Sequence, residues 1–278
     1  MGIKKMTQLD ILHKIELNLL KTVVDICEQH QINYFMIGGS LLGTIRHQGF
    51  IPWDDDIDVG FLRQDYEKFL QAAAGELQPA QRLMTTQNTK DYGFAFSKIV
   101  AENTEMVETY NLPNNAVHSV YVDLFPFDAI PAADQARQKQ YQQFKLYNRL
   151  VIERLKYGHA DPPAKRAVIV ALNLVHRFQS VGYLKQKRRA IMTAYQAQAA
   201  TLDQINMCSQ YAYGKEIIKQ SELHQFITRS FSGLQVKVPA AYDAILTRMY
   251  GDYMQLPPKD KQVEKHLSDF RVDGQIVD

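Results

Sequence analysis

A chain of 278 residues, 46% apolar and 22% charged, has material for a full hydrophobic core and too little polar excess for extended disorder. Its 32 basic and 30 acidic residues nearly cancel, to a net +2, which excludes a nucleic-acid binder working by bulk charge and requires any basic patch to be local. The two cysteines lie far apart, with Cys27 inside an apolar helical pattern, so free thiols in a reducing compartment are expected rather than a disulfide. No apolar run reaches the roughly 18 residues of a membrane span, and the first residues carry no signal-peptide apolar core. The expected location is the cytoplasm, or the inner face of a membrane as a peripheral protein.

In chain order, Ile11, Ile15, Leu19, Leu20, Val23, Ile26 and Cys27 recur at three- and four-residue steps and predict a helix over Thr7 to His30, capped by Thr7 and Asp10. Tyr34 to Ile37 reads as a buried strand ending at Gly38-Gly39, after which Ser40 caps a short helix to about Arg46. Ile57 to Phe61 predicts a second strand and Tyr66 to Leu77 a helix; Arg82 to Thr86, Phe94 to Val100 and Ser119 to Phe125 predict further strands. Beyond Pro131 the texture becomes helical, over Ala133 to Tyr157, Ala164 to Phe178 and Tyr183 to Leu202, with a break at Pro162-Pro163. A strand at Leu234 to Val238, a helix at Ala240 to Tyr250 and a polar tail complete the chain. The fold class expected is α+β, a mixed sheet with flanking helices, divided into a core over 1–131 and a helical extension with a C-terminal segment over 132–278, packed as one body.

The run Asp54, Asp55, Asp56, Ile57, Asp58 carries the chemistry. On a strand, Asp56 and Asp58 point the same way while Ile57 and Val59 enter the core. Two carboxylates in one small volume repel unless a cation sits between them, and all-oxygen ligation favours Mg²⁺ or Mn²⁺. Upstream, Gly38, Gly39 and Ser40 form a strand-to-helix turn that offers backbone N–H groups and a favourable dipole to phosphate. A calcium loop is excluded, since a loop begun at Asp54 puts Val59 where Gly is required and Asp65 where a bidentate Glu belongs.

Gly38-Gly39-Ser40-Leu41-Leu42-Gly43, followed by Arg46-His47-Gln48-Gly49-Phe50-Ile51-Pro52-Trp53-Asp54-Asp55-Asp56-Ile57-Asp58, closely resembles the LicD family, related to the fukutin-type transferases. Tyr121-Val122-Asp123-Leu124-Phe125-Pro126-Phe127-Asp128 resembles that family's second acidic segment, and Tyr250-Gly251-Asp252-Tyr253-Met254 with Leu256-Pro257-Pro258 its C-terminal signature. The resemblance implies a nucleotidyltransferase fold and a metal-dependent transfer of a phosphorylated alcohol, typically phosphocholine from CDP-choline, to a hydroxyl of a cell-surface glycan or its lipid-linked precursor. It implies Asp56, Asp58 and Asp123 as metal ligands and catalytic acids.

Arg46 and Lys98 are candidate phosphate cations, read alternatively as a helix-end charge and a surface lysine. Trp53 is either a stacking partner for the donor or a core residue, and His47 and His266 match family positions without a nucleophile to serve. From Arg154 to Arg189 nine basic residues face one acid, Asp161, around the apolar stretch Ala167 to Val175. That segment reads either as a contact with an anionic membrane or as a core helix flanked by solvated charge. Two other functions compete: a nucleotidyltransferase delivering NMP from an NTP, and a non-catalytic glycan or membrane adaptor.

Overall fold

The computed structural model describes residues 6–108, 118–157, 162–263 and 267–277. The chain opens with α1 (Gln8–Gln29), β1 (Phe35–Met36), α2 (Gly38–His47), β2 (Asp58–Leu62) and α3 (Arg63–Glu76). Then come β3 (Gln81–Met84), β4 (Ser97–Ala101), β5 (Thr104–Glu108) and β6 (Tyr121–Ala129). Three helices follow, α4 (Asp134–Arg154), α5 (Pro163–Val175) and α6 (Val181–Met192). The last part holds β7 (Gln204–Ile205), β8 (Ile217–Ile218), β9 (Phe226–Phe231), β10 (Leu234–Pro239), α7 (Tyr242–Tyr250), β11 (Leu267–Val272) and β12 (Gln275–Ile276). The architecture is α+β, with helices packed around a mixed sheet.

The sheet runs β1-β2-β6-β4-β3, with β7 joined to β6 and β8 to β7. Among the described strands only β2 and β6 pair in parallel, in a register that sets Asp58 opposite Asp123; β4 crosses β6 antiparallel with Lys98 opposite Asp123. Because strand residues alternate faces, one face thus gathers Asp58, Asp123 and Lys98, while Val59, Phe61, Val122, Leu124 and Ile99 are buried with no measurable exposure. Helix α1 buries Leu12, Leu19, Leu20, Val23 and Cys27 in the same core, and its start is the reciprocal Thr7–Asp10 capping box. Both cysteines are free, as expected.

Several elements differ from the sequence reading. Helix α2 begins at Gly38 with Ile37 at its cap, because the Ser40 hydroxyl is turned away to accept the Asp58 amide at 2.8 Å. Strand β4 starts at Ser97, since Phe94 and Phe96 splay into an aromatic cluster with Tyr92, Phe125 and Tyr157. The helix expected over Tyr183 to Leu202 ends at Met192 and resumes as a 3₁₀ turn over Gln196–Thr201. Strands β5, β9 and β11 carried no alternation strong enough to be read; β5 acquires its partner, β11, from far along the chain. His266 lies outside the described residues.

Helices α4 and α6 pair beside the sheet and are pinned to it by a buried cation. Arg188 donates to Gly93 O at 2.7 Å, Phe94 O at 3.1 Å and Asn148 Oδ1 at 2.7 Å, while burial pushes its guanidinium down to about 10. The Tyr157 hydroxyl accepts from Gly93 N and donates to Asp91 O. A second buried pair, Arg63 with both oxygens of Asp128 at 2.8 and 2.7 Å, ties α3 to β6.

Candidate active site

At the junction of β1 and α2 the backbone must pass close to acidic side chains, and glycine permits it. Gly38 has φ 54°, and a Cβ there would lie 3.2 Å from Asp58 Oδ2; a Cβ on Gly39 would lie 2.6 Å from Asp54 Oδ2. The carboxylates therefore rest on the N-terminus of α2, where the helix dipole is positive. The loop behind them is anchored by His13 of α1, whose Nε2 donates to the Asp54 carbonyl at 2.7 Å while its ring stacks on Phe50.

Among the described residues, the acids whose ligand oxygens lie within 4.8 Å of one another are Asp54, Asp55 and Asp56. Of the expected set Asp56, Asp58 and Asp123, Asp56 precedes β2 and follows the loop rather than the strand's alternation, yet its charge is the foremost one acting on Asp58. Asp58 and Asp123 stand beside that trio as register partners. Burial, then the charges of Asp56, Asp123, Glu216 and Asp54, hold the Asp58 carboxyl well above the usual carboxylate range.

A further acid arrives from α1. Glu16 is 1% exposed inside an otherwise apolar helix face, and its Oε2 has no hydrogen-bond partner. Burial, then Asp56, Asp55, Asp54 and Asp123, raise it well above its ordinary value. Sequence reasoning missed Glu16, because one acid in an apolar stripe registers only as an interruption of the pattern.

Lys98 is buried and donates to Asp123 Oδ1 at 2.5 Å, its ammonium 3.1 Å from the Tyr121 ring centroid. The surface alternative for Lys98 is thereby removed, and its charge answers a carboxylate. Arg46 donates from Nη1 to the carbonyl of Tyr253 at 2.7 Å, fastening α2 to the C-terminal signature. Trp53 is half-buried against the core, edge-on to His47.

Opposite Gly38 lie groups that the sequence did not single out. Glu216 lines a small cavity with Gly38, Ile37 and Phe127, accepts from Asn206 Nδ2 at 3.2 Å, and is pushed up by burial to about 7. The hydroxyls of Tyr211 and Tyr250 lie 2.5 Å apart within electrostatic reach of Glu216 and Asp58. Tyr250 sits in a motif that was legible; Tyr211 and Glu216 come from an irregular segment with no periodic signal.

Crowded oxygen donors, an orphaned buried carboxylate oxygen and two glycines whose Cβ atoms would press against acids together fit a hard divalent cation at this place. Zinc is disfavoured, since among the described residues no cysteine or histidine joins the acid trio.

Comparison with known proteins gives a concordant picture. Residues 31–157 match the LicD/FKTN/FKRP nucleotidyltransferase domain. The chain is 27% identical over 258 residues to the lipopolysaccharide cholinephosphotransferase LicD of Haemophilus influenzae, covering 91% of this chain and 94% of that protein. It is also 34% identical over 108 residues to the mouse ribitol 5-phosphate transferase FKRP, a stretch that is 38% of this chain and 19% of the mouse protein. The human FKRP is matched over the same length at 33%.

Proposed function

From the match of residues 31–157 to the LicD-type nucleotidyltransferase domain and the likeness to LicD along most of the chain, we propose that the chain is a LicD-family, metal-dependent phosphotransferase. It moves a phospho-alcohol of the phosphocholine class from a CDP-activated donor to a hydroxyl of a cell-surface glycan or lipid-linked glycan precursor. The observation that supports this reading is the gathering of Glu16, Asp54, Asp55, Asp56, Asp58 and Asp123 into one another's electrostatic reach, with Asp54 and Asp58 set against Gly39 and Gly38 at the N-terminus of α2. So many carboxylates around one helix end form a receptor for a cation that in turn receives a diphosphate.

Asp54, Asp55, Asp56 and Asp58 would hold Mg²⁺ or Mn²⁺, which would supply charge neutralisation of the diphosphate and polarisation of the reacting phosphoryl group. The α2 N-terminus, at Gly38, Gly39 and Ser40, offers its amides to phosphate oxygens. Asp123 takes the proton of the acceptor hydroxyl as its oxygen bonds to the distal phosphorus and the bond to CMP breaks, and CMP leaves with that electron pair. Lys98 positions Asp123 through their ion pair, and its charge opposes the negative charge that spreads at phosphorus. Arg46 acts at a distance, by holding α2 against the Tyr250–Met254 segment.

Release of CMP from a panel of CDP-alcohols, with and without Mg²⁺, tests the reading against release of pyrophosphate from NTPs. CMP release that EDTA abolishes is the expected result. Pyrophosphate release with no CMP release would make the chain an NMP transferase, and neither product with any donor would favour the adaptor.

A further inference from the structure

Helix α5 is attached to the molecule along one narrow edge. Ile169 is buried, Leu172 packs on the Leu150, Val151 and Leu184 cluster, and Arg154 clamps the helix end by donating to the carbonyls of His176 and Gln179. The opposite side is apolar and open to solvent. Val168 and Val170 are more than half exposed, as is Leu174; Val175 is 76% exposed and Phe178 88%. No acid occurs in α5 or α6. Exposed Arg166 and Arg177 stand at the two ends of the apolar band, Arg177 with its guanidinium 4.7 Å from the Phe178 ring centroid. Tyr183, 40% exposed, carries Lys187 at 5.6 Å on the neighbouring helix.

The nine cations of residues 154–189 are not equally available. Arg154 is spent on the end of α5, Arg188 is buried, Lys185 donates to Thr86 O, and Arg189 pairs with Glu67 at 3.0 Å. A surface acting by charge alone would be weak. What remains is a contiguous apolar face with cations at its rim, the composition of a helix that lies in a lipid interface.

We propose that α5 and Phe178 form an interfacial docking face for an anionic lipid surface, with Val175 and Phe178 entering the acyl boundary and Arg166, Arg177 and Lys187 meeting the headgroups. Thirteen residues make a helix of about 20 Å, too short to span a bilayer, so α5 lies on the surface. Charge complementarity selects the anionic lipid, since the charged residues of α5 and α6, with Arg177 between them, are all basic. The proposal concerns binding and stands apart from which group the active site transfers.

The test is co-sedimentation of the full chain with vesicles of phosphatidylcholine alone or mixed with phosphatidylglycerol, for the parent and for the double variant Val175→Glu/Phe178→Glu. Both positions are exposed, so the variant should melt with the parent. Binding to the mixed vesicles, weakened by salt and reduced roughly tenfold or more by the double substitution, is the expected result. Phe178→Trp should keep the binding and add an emission that shifts to the blue with mixed vesicles, relative to the parent carrying Trp53 alone. A parent that stays in the supernatant with anionic vesicles overturns the proposal, as does a double variant that sediments like the parent. A parent dimer broken by the double substitution, with no vesicle binding, also overturns it and makes the face an interface between copies of the chain.

Discussion

Asp58 concentrates the site's physics in one side chain. Burial and four neighbouring acids disfavour its charge, and a divalent cation would restore it. Asp58→Asn keeps the shape and removes the charge, so turnover should fall on the order of a hundredfold or more while the fold survives. Without divalent cation the variant should melt no lower than the parent, because a repulsion has been relieved, and the rise in melting temperature on adding Mg²⁺ should shrink. CMP release and thermal melts with and without Mg²⁺ check both halves. Near-parental turnover would sink the metal-site assignment. Asp58, Asp123 and Lys98 were legible because alternation on a strand assigns a face from sequence alone. Glu16 was not, since its meaning depends on which loop α1 happens to cover.

At the scale of the element, α2 shows how a helix start is fitted to its acids. A Cβ at Gly39 would press within 2.6 Å of Asp54 Oδ2, yet the backbone there is not left-handed, so Gly39→Ala improves helix propensity while displacing a carboxylate. Melting temperature should hold or rise, turnover should drop by roughly tenfold, and the Mg²⁺-dependent rise in melting temperature should shrink. Gly38→Ala differs, because φ 54° is costly for any residue with a Cβ. That variant should lose about 1–2 kcal/mol as well as activity, a few degrees in a thermal melt. Equal melting temperatures for the two variants would contradict the backbone argument. The Gly-Gly-Ser pattern was visible in the sequence as a phosphate turn; that its glycines also make room for carboxylates required the loop in place.

The whole molecule responds to pH through its buried acids. Glu216 sits at about 7 when folded against an ordinary 4.5, so the folded state binds the extra proton between those values. Its stabilising contribution is complete below the ordinary value and is lost as pH rises through about 7, a change on the order of 3 kcal/mol. Glu16 and Asp58 are shifted in the same direction and add to the loss when no divalent cation is present. Urea melts at pH 5 and pH 8 should therefore show the parent losing stability with rising pH, and Glu216→Gln losing clearly less. Parallel losses in the two proteins would place the ionised Glu216 in water and remove it from the cavity wall.

The amino-acid sequence by itself determined the α+β class, the capped first helix, the Gly-Gly-Ser turn, the acidic run and the register-bearing acids, because each is encoded by local period or short spacing. Tertiary structure alone decided that Glu16 joins the acids, that Asp54 and Asp55 crowd against Asp56, and that Lys98 answers Asp123. It also decided that Arg46 and Arg154 serve backbone carbonyls, and that the face of α5 points to solvent and not to a core. The reason is common to all of these. Periodicity assigns a side chain to a face of its own element, whereas its partner depends on which distant element is packed against that face.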